Sequence, residues 1–173
     1  MKFLVSIISK IIWSPFLLID MIVIMKKIIF VCHGNICRSP VADILFKKKV
    51  FELGLEGQFD SSSRATSLEE IGNDIYPPMK RVLLSHNISF VRHYATRITK
   101  EEFDTADYIF YMDHNNLYYL ERLFGPSNKF VLLRKYLDNQ DIEDPWYTGR
   151  YELVFSQIEE AIDSLVEKIK DPQ

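Results

Sequence analysis

The chain has 173 residues, 47% of them hydrophobic and 26% charged, which suits one globular domain able to bury its own core. A formal net charge of −3 gives no global attraction to nucleic acid or to an anionic membrane, so an anionic ligand has to be met by a local site. Two cysteines, Cys32 and Cys37, are too few and too close together for a secreted disulfide framework. On either side of one tight loop they suggest thiol chemistry in a reducing compartment.

Residues 3–25, FLVSIISKIIWSPFLLIDMIVIM, are far more apolar than anything downstream, and three readings stay open. A secretory signal fits poorly, because Lys10 interrupts the apolar run and no small-residue cleavage site follows. A membrane span is long enough, but Lys10 and Asp20 would each cost roughly 2.5–3.5 kcal/mol near the bilayer centre. The third reading makes residues 1–24 an extension of a chain that starts at Met25, since a strand-like run begins directly after it. Residues 25–173 are then the domain proper. If the leader is an anchor, Lys26 and Lys27 at its end favour a cytoplasmic domain. The cytoplasm is expected whether the leader is an extension or an anchor, with membrane contact only through residues 1–24.

From Lys26 onward strand-like and helix-like runs alternate. Ile28–Val31 is a continuous β-branched and aromatic run, as in a strand buried on both faces. Pro40 suits an early helical position, and Val41, Ile44, Leu45 and Phe51 continue a helix to about Gly54. Gln58–Asp60 predicts a short strand, followed by a polar loop over Ser61–Ser67. Met79–Ser85 and Lys100–Phe103 are helical in composition, and Tyr108–Tyr111 is a second buried strand. Leu117, Leu120 and Leu123 mark a helix closed by Gly125-Pro126, and Phe130–Leu133 is a further strand. Val154, Ile158, Ala161, Ile162, Leu165 and Ile169 recur at helical spacing, so the last helix lays one face on the sheet. The alternation predicts a single-domain three-layer α/β fold with about four parallel strands flanked by helices. No repeat, low-complexity run or linker interrupts it.

The chemistry sits in Val31-Cys32-His33-Gly34-Asn35-Ile36-Cys37-Arg38-Ser39-Pro40, between the first strand and the first helix. At such a junction the helix N-terminus offers unpartnered N–H groups and a positive dipole end, so an anion is stabilised. Gly34 and Asn35 allow the loop to turn its amides inward as a nest for phosphate. Arg38 closes the ring with a planar fork that grips two phosphate oxygens, a geometry Lys does not reproduce. The same positive field stabilises the thiolate of Cys32 as a nucleophile, and Ser39 is placed to donate a hydrogen bond to that sulfur.

This segment resembles the active-site loop of the low-molecular-weight protein tyrosine phosphatases nearly residue for residue. The likeness continues through Asp60-Ser61, Ala65-Thr66-Ser67, Glu70-Ile71-Gly72-Asn73, Arg97–Phe103 and Asp107-Tyr108-Ile109. It resumes at Met112-Asp113, Asn116-Leu117 and Glu143-Asp144-Pro145-Trp146-Tyr147. The resemblance implies a phosphatase with Cys32 as nucleophile, Arg38 binding phosphate and Asp144 as general acid. The substrate would be a phosphorylated protein held by His33, Gly34, Asn35, Ile36, Cys37, Ser39, Trp146 and Tyr147. It also implies that Asn35 shapes the loop through His93 and one serine of Ser61–Ser63. No metal or cofactor is called for. Thr96 stands where family members often carry Arg, and Glu69 where an aromatic often forms the pocket wall; both departures bear on substrate preference.

Four rivals differ in residues this chain has or lacks. Arsenate reductases of this fold pass a disulfide to downstream cysteines, and none follows Cys37. In arginine phosphatases the position of Ile36 resembles Thr. Cysteine phosphocarriers lack the Arg-Ser pair and a dedicated acid. For a phosphotyrosine-binding module, Cys32 and Asp144 would be surplus.

Overall fold

The computed structural model describes residues 25–170, so the leader 1–24 and its three readings lie outside the described residues. Four strands form one parallel sheet: β1 Lys26–Cys32, β2 Phe59–Ala65, β3 Tyr108–Tyr111 and β4 Phe130–Leu132, in the spatial order β2-β1-β3-β4. The helices are α1 Arg38–Glu52, α2 Pro77–Ser85, α3 Lys100–Thr105, α4 His114–Phe124, α5 Pro145–Thr148 and α6 Tyr151–Lys170. Two 3-10 turns, Glu56–Gln58 and Leu133–Tyr136, complete the order. Among these residues no helix is long and apolar enough to cross a membrane.

The alternation of β1 builds the three layers. Ile28, Phe30 and Cys32 join the larger core with α1, α2 and α6, whereas Ile29 and Val31 join a smaller core with Leu120, Ala106 and Ile109. Phe30 sits at the centre of the first, 5.5 Å from the Phe46 ring and 5.8 Å from that of Phe110. Val154, Ile158, Ala161, Ile162 and Leu165 of α6 are buried there, as their spacing predicts; Ile169 is only partly buried against this core, and Phe155 joins it from outside the predicted stripe. Gly125 ends α4 at φ +81°, a conformation that suits a residue without Cβ.

One expectation needs correction. Ser61–Ser67 is not a polar loop: β2 continues to Ala65 and pairs with β1 along seven residues. The run looks too polar for a strand, yet its buried hydroxyls have partners. Ser61 donates to Asp43 Oδ1 at 2.6 Å, and Ser63 accepts from the Asn35 amide at 3.0 Å. An edge strand tolerates such residues when each buried oxygen is bonded.

Strand order reverses at β1: the chain passes first to β2 on one side and then to β3 on the other. In open parallel sheets, ligands bind beyond the carboxyl ends of the strands at such a reversal. Cys32 is the last residue of β1 and Asp113 follows the end of β3, so the sheet delivers both to one crevice. Because Phe30 is fully buried between these elements, Phe30→Ala is expected to cost about 3–5 kcal/mol of unfolding free energy, read as a lowered denaturant midpoint.

Candidate active site

The loop Cys32–Cys37 wraps around the sulfur of its own first residue. Asn35 takes the left-handed conformation, φ +58°, which turns its N–H toward Cys32 Sγ at 3.3 Å. Asn is one of the few residues with a Cβ that accepts this region. Its side chain is fully buried and every bond it can make is made. Oδ1 accepts from the Thr96 N–H at 3.1 Å and lies 3.1 Å from His93 Nε2; Nδ2 donates to Ser39 Oγ at 2.9 Å and Ser63 Oγ at 3.0 Å. The backbone donor at Thr96 fixes which end of the amide is oxygen. His93 Nε2 also donates to the Asn35 carbonyl at 2.8 Å. A carbonyl oxygen can only accept, so Nε2 carries a proton, and desolvation lowers the pKa of His93 despite that bond. Ser63 is therefore the serine that reaches the loop, and Thr96 contributes through its backbone.

Ser39 Oγ lies 3.1 Å from Cys32 Sγ and 3.3 Å from the Arg64 carbonyl. With Asn35 donating into its oxygen, Ser39 has one proton to give, and a thiolate is the stronger acceptor. Gly34 is held by space: a Cβ there would meet Glu70 Cγ at 3.0 Å. Helix α1 begins at Arg38 without a side-chain cap and without an acidic residue in its first turn, which leaves its positive end open to an incoming anion.

Arg38 is 2% exposed. Burial opposes its charge, but Cys32, Asp113 and Asp144 more than offset this and hold its pKa above the ordinary value. NH1 donates to Asp113 Oδ2 and, at 3.1 Å, to the Ile142 carbonyl; NH2 donates to Asp144 Oδ2 at 2.6 Å. Three of five guanidinium N–H bonds are used among the described residues, which leaves two for a ligand. Both acids are fixed as helix caps: Asp113 Oδ1 accepts from Asn116 N at 2.7 Å and Asp144 Oδ1 from Trp146 N at 3.0 Å. Asp144 thus rests on Arg38. Asp113 carries no role in the sequence reading; its signal there is an Asp directly after a strand and before a helix, which marks a cap but not its second bond to Arg38.

Cys32, His33, Gly34, Ile36, Cys37, Arg38, Asp144, Trp146 and Tyr147 line one cleft of about 610 Å³. Asn35 and Ser39 stand behind it, fully buried. Burial, followed by the nearby Cys32 and Asp144, pushes the Cys37 thiol up, so it stays protonated, packed with Ile36 and Ala95. Glu69 forms part of the wall and bonds His33 Nε2 at 3.0 Å.

The family described as low molecular weight phosphotyrosine protein phosphatase matches residues 27–173. The chain belongs to this family. The chicken (Gallus gallus) low molecular weight phosphotyrosine protein phosphatase is 38% identical over 154 residues, 83% of this chain and 95% of that one. The crystal structure of YfkJ from Bacillus subtilis superposes with a TM-score of 0.81 at 32% identity, covering 86% of this chain and 98% of that one. A variant of the arginine phosphatase YwlE superposes at 0.75 with 27% identity, covering 85% and 97%.

Asn35→Ala would keep the left-handed backbone without an amide to fill it, leaving His93, Ser39 and Ser63 short of partners. Strain and lost buried bonds together predict a loss of at least about 3 kcal/mol in a denaturant titration.

Proposed function

We propose that the chain hydrolyses phosphotyrosine in proteins through a cysteinyl-phosphate intermediate. The observation that carries this reading is Cys32 Sγ lying in a loop at the uncapped end of α1, with Asn35 N–H and Ser39 Oγ both bonded to it and Arg38 beside it. The loop amides, the open end of α1 and Arg38 suit the equatorial oxygens of a phosphoryl group transferring to that sulfur.

The thiolate attacks phosphorus and the bond to the tyrosine oxygen breaks. An entering dianion competes with Asp144 for the NH2 group of Arg38. Asp144, displaced from its cation, takes up a proton from solvent. That proton goes to the departing phenolate. The carboxylate left behind accepts a proton from water, whose oxygen attacks phosphorus and breaks the S–P bond. Ser39 donates to the sulfur as it leaves, and inorganic phosphate is released. Asp113 and the Ile142 carbonyl keep NH1 in place throughout. Trp146 and Tyr147, exposed at the cleft, suit the faces of an aromatic substrate. A reducing cytoplasmic setting belongs to the proposal, since both cysteines are free and the nucleophile works only while reduced.

A second reading, phosphoarginine as substrate, has one point in its favour: the likeness to the arginine phosphatase YwlE. Against it, Ile36 lines the cleft with an apolar side chain, which favours an aryl group over a guanidinium. Peptides of one sequence carrying either phosphotyrosine or phosphoarginine decide between them, and the phosphotyrosine peptide is expected to have the higher kcat/KM. Cys32→Ser is expected to abolish turnover of both while keeping the wild-type circular dichroism spectrum; turnover above a trace would remove Cys32 as nucleophile.

Asp144→Ala is expected to slow hydrolysis of phenyl phosphate by roughly 10²–10⁴-fold. The loss should shrink for aryl phosphates with more acidic leaving groups, measured as a Brønsted plot. An equal loss across leaving groups would assign Asp144 a structural part instead.

A further inference from the structure

The cleft that is to receive a phosphate dianion is itself rich in negative charge. Its lining includes six carboxylates, Glu69, Glu70, Asp113, Asp141, Glu143 and Asp144, against the single guanidinium of Arg38. Arg38 is already opposed by two of them. Asp141 meets His114 at 2.7 Å and Glu143 meets Arg150, so that side of the rim is partly compensated. On the other lip, Glu69 is bonded only to His33, and Glu70 only to the Asn73 side-chain amide at 2.7 Å. Neither has a Lys or Arg partner among the described residues. Glu69 is 71% exposed at its side chain, so its carboxylate is open to whatever enters the cleft from solvent.

The second observation concerns aromatic rings. Tyr119 packs against His33 at 5.6 Å, and Tyr118, Tyr119, Trp146 and Tyr147 all line the cleft with large exposed surfaces. Exposed ring faces next to carboxylates form good surroundings for the guanidinium or ammonium of a passing side chain. Carboxylates alone would only repel phosphate; with rings beside them they select what accompanies it.

We infer that the rim, with Glu69 as its main specificity determinant, selects phosphotyrosine flanked by Lys or Arg. The inference rests on the phosphotyrosine hydrolase reading above and names its substrate class. The loop and Arg38 bind the phosphoryl group, and the rim screens its neighbours. Basic flanks cancel the repulsion between the dianion and the lip, whereas acidic flanks add to it.

Its size follows from Coulomb attraction: one unit charge about 8 Å away through water changes binding roughly twofold at low salt. Two basic flanking residues in place of two acidic ones should therefore raise kcat/KM by about tenfold, chiefly through KM. The test uses the intact chain with phosphotyrosine peptides of equal length carrying basic, neutral or acidic flanks, and phenyl phosphate as a substrate with no flanks. At about 0.01 M salt the basic peptide should lead, and the lead should collapse near about 1 M, where charges are screened within about 3 Å. Glu69→Lys, which reverses the charge at an exposed position, should erase or invert the basic-over-acidic preference. Equal or reversed ratios at low salt, with phenyl phosphate still hydrolysed, would overturn the inference and leave the hydrolase reading standing. A full ratio retained in Glu69→Lys would remove Glu69 as the determinant. No hydrolysis of phenyl phosphate or any peptide would overturn the hydrolase reading and this inference with it.

Discussion

The site depends on one buried carboxamide. Asn35 connects α1, β2 and the segment around His93 and Thr96 through its side chain, and β1 through its backbone N–H to Cys32 Sγ. A carboxamide offers two donors and two acceptor sites in one plane, and here that inventory is used in full. Removing any partner leaves a buried polar atom without a bond, which costs more than the bond is worth when made. The left-handed backbone at Asn35 is held by this network, and the N–H directed at the sulfur is its result.

Arg38 follows a different rule. A buried guanidinium is tolerated only with partners that restore what water supplied. Asp113 and Asp144 supply it, each fixed in turn by a helix N-terminal N–H. Two short local structures, the caps of α4 and α5, thereby set the orientation of a residue near the start of α1. Asp74 gives similar support to His93 from further out: burial opposes its charge, but Lys80 and the His93 and Ile75 N–H groups hold its pKa down to about 2. The positive charge at the centre of the cleft is thus a balance among cation, cap and carboxylate.

The loop was legible in the sequence because its chemistry is contiguous: ten residues carry nucleophile, turn, guanidinium and hydroxyl between a strand and a helix. The strands β1 and β3 were legible for a related reason, since burial on both faces demands an unbroken apolar run. β2 was not. Its serines resemble a loop in composition, and only Asp43 and Asn35, distant in the chain, explain why the hydroxyls are satisfied in a strand. Asp113 was hidden in the same way. As an Asp before a helix it announces a cap, while its second oxygen meets a residue 75 positions earlier, a contact no local pattern encodes. Tyr118 and Tyr119 likewise sit on a helix whose leucines dominate the pattern, so their place on the cleft emerges only when α4 is laid beside the loop.

The pairing of Asp144 with Arg38 bears on how the cycle ends. Inorganic phosphate shares the charge and the oxygens of the group just transferred, so a site shaped only to attract it would be slow to empty. In this cleft a tethered carboxylate competes for the same guanidinium edge at high effective concentration. On the mechanism proposed above, Asp144 returns to NH2 of Arg38 as phosphate departs, while Asp113 holds NH1 throughout. The carboxylate therefore serves as a resident product mimic. It weakens the hold on ground-state phosphate, while the amides of the loop, which it does not reach, keep their full strength for the trigonal-bipyramidal species.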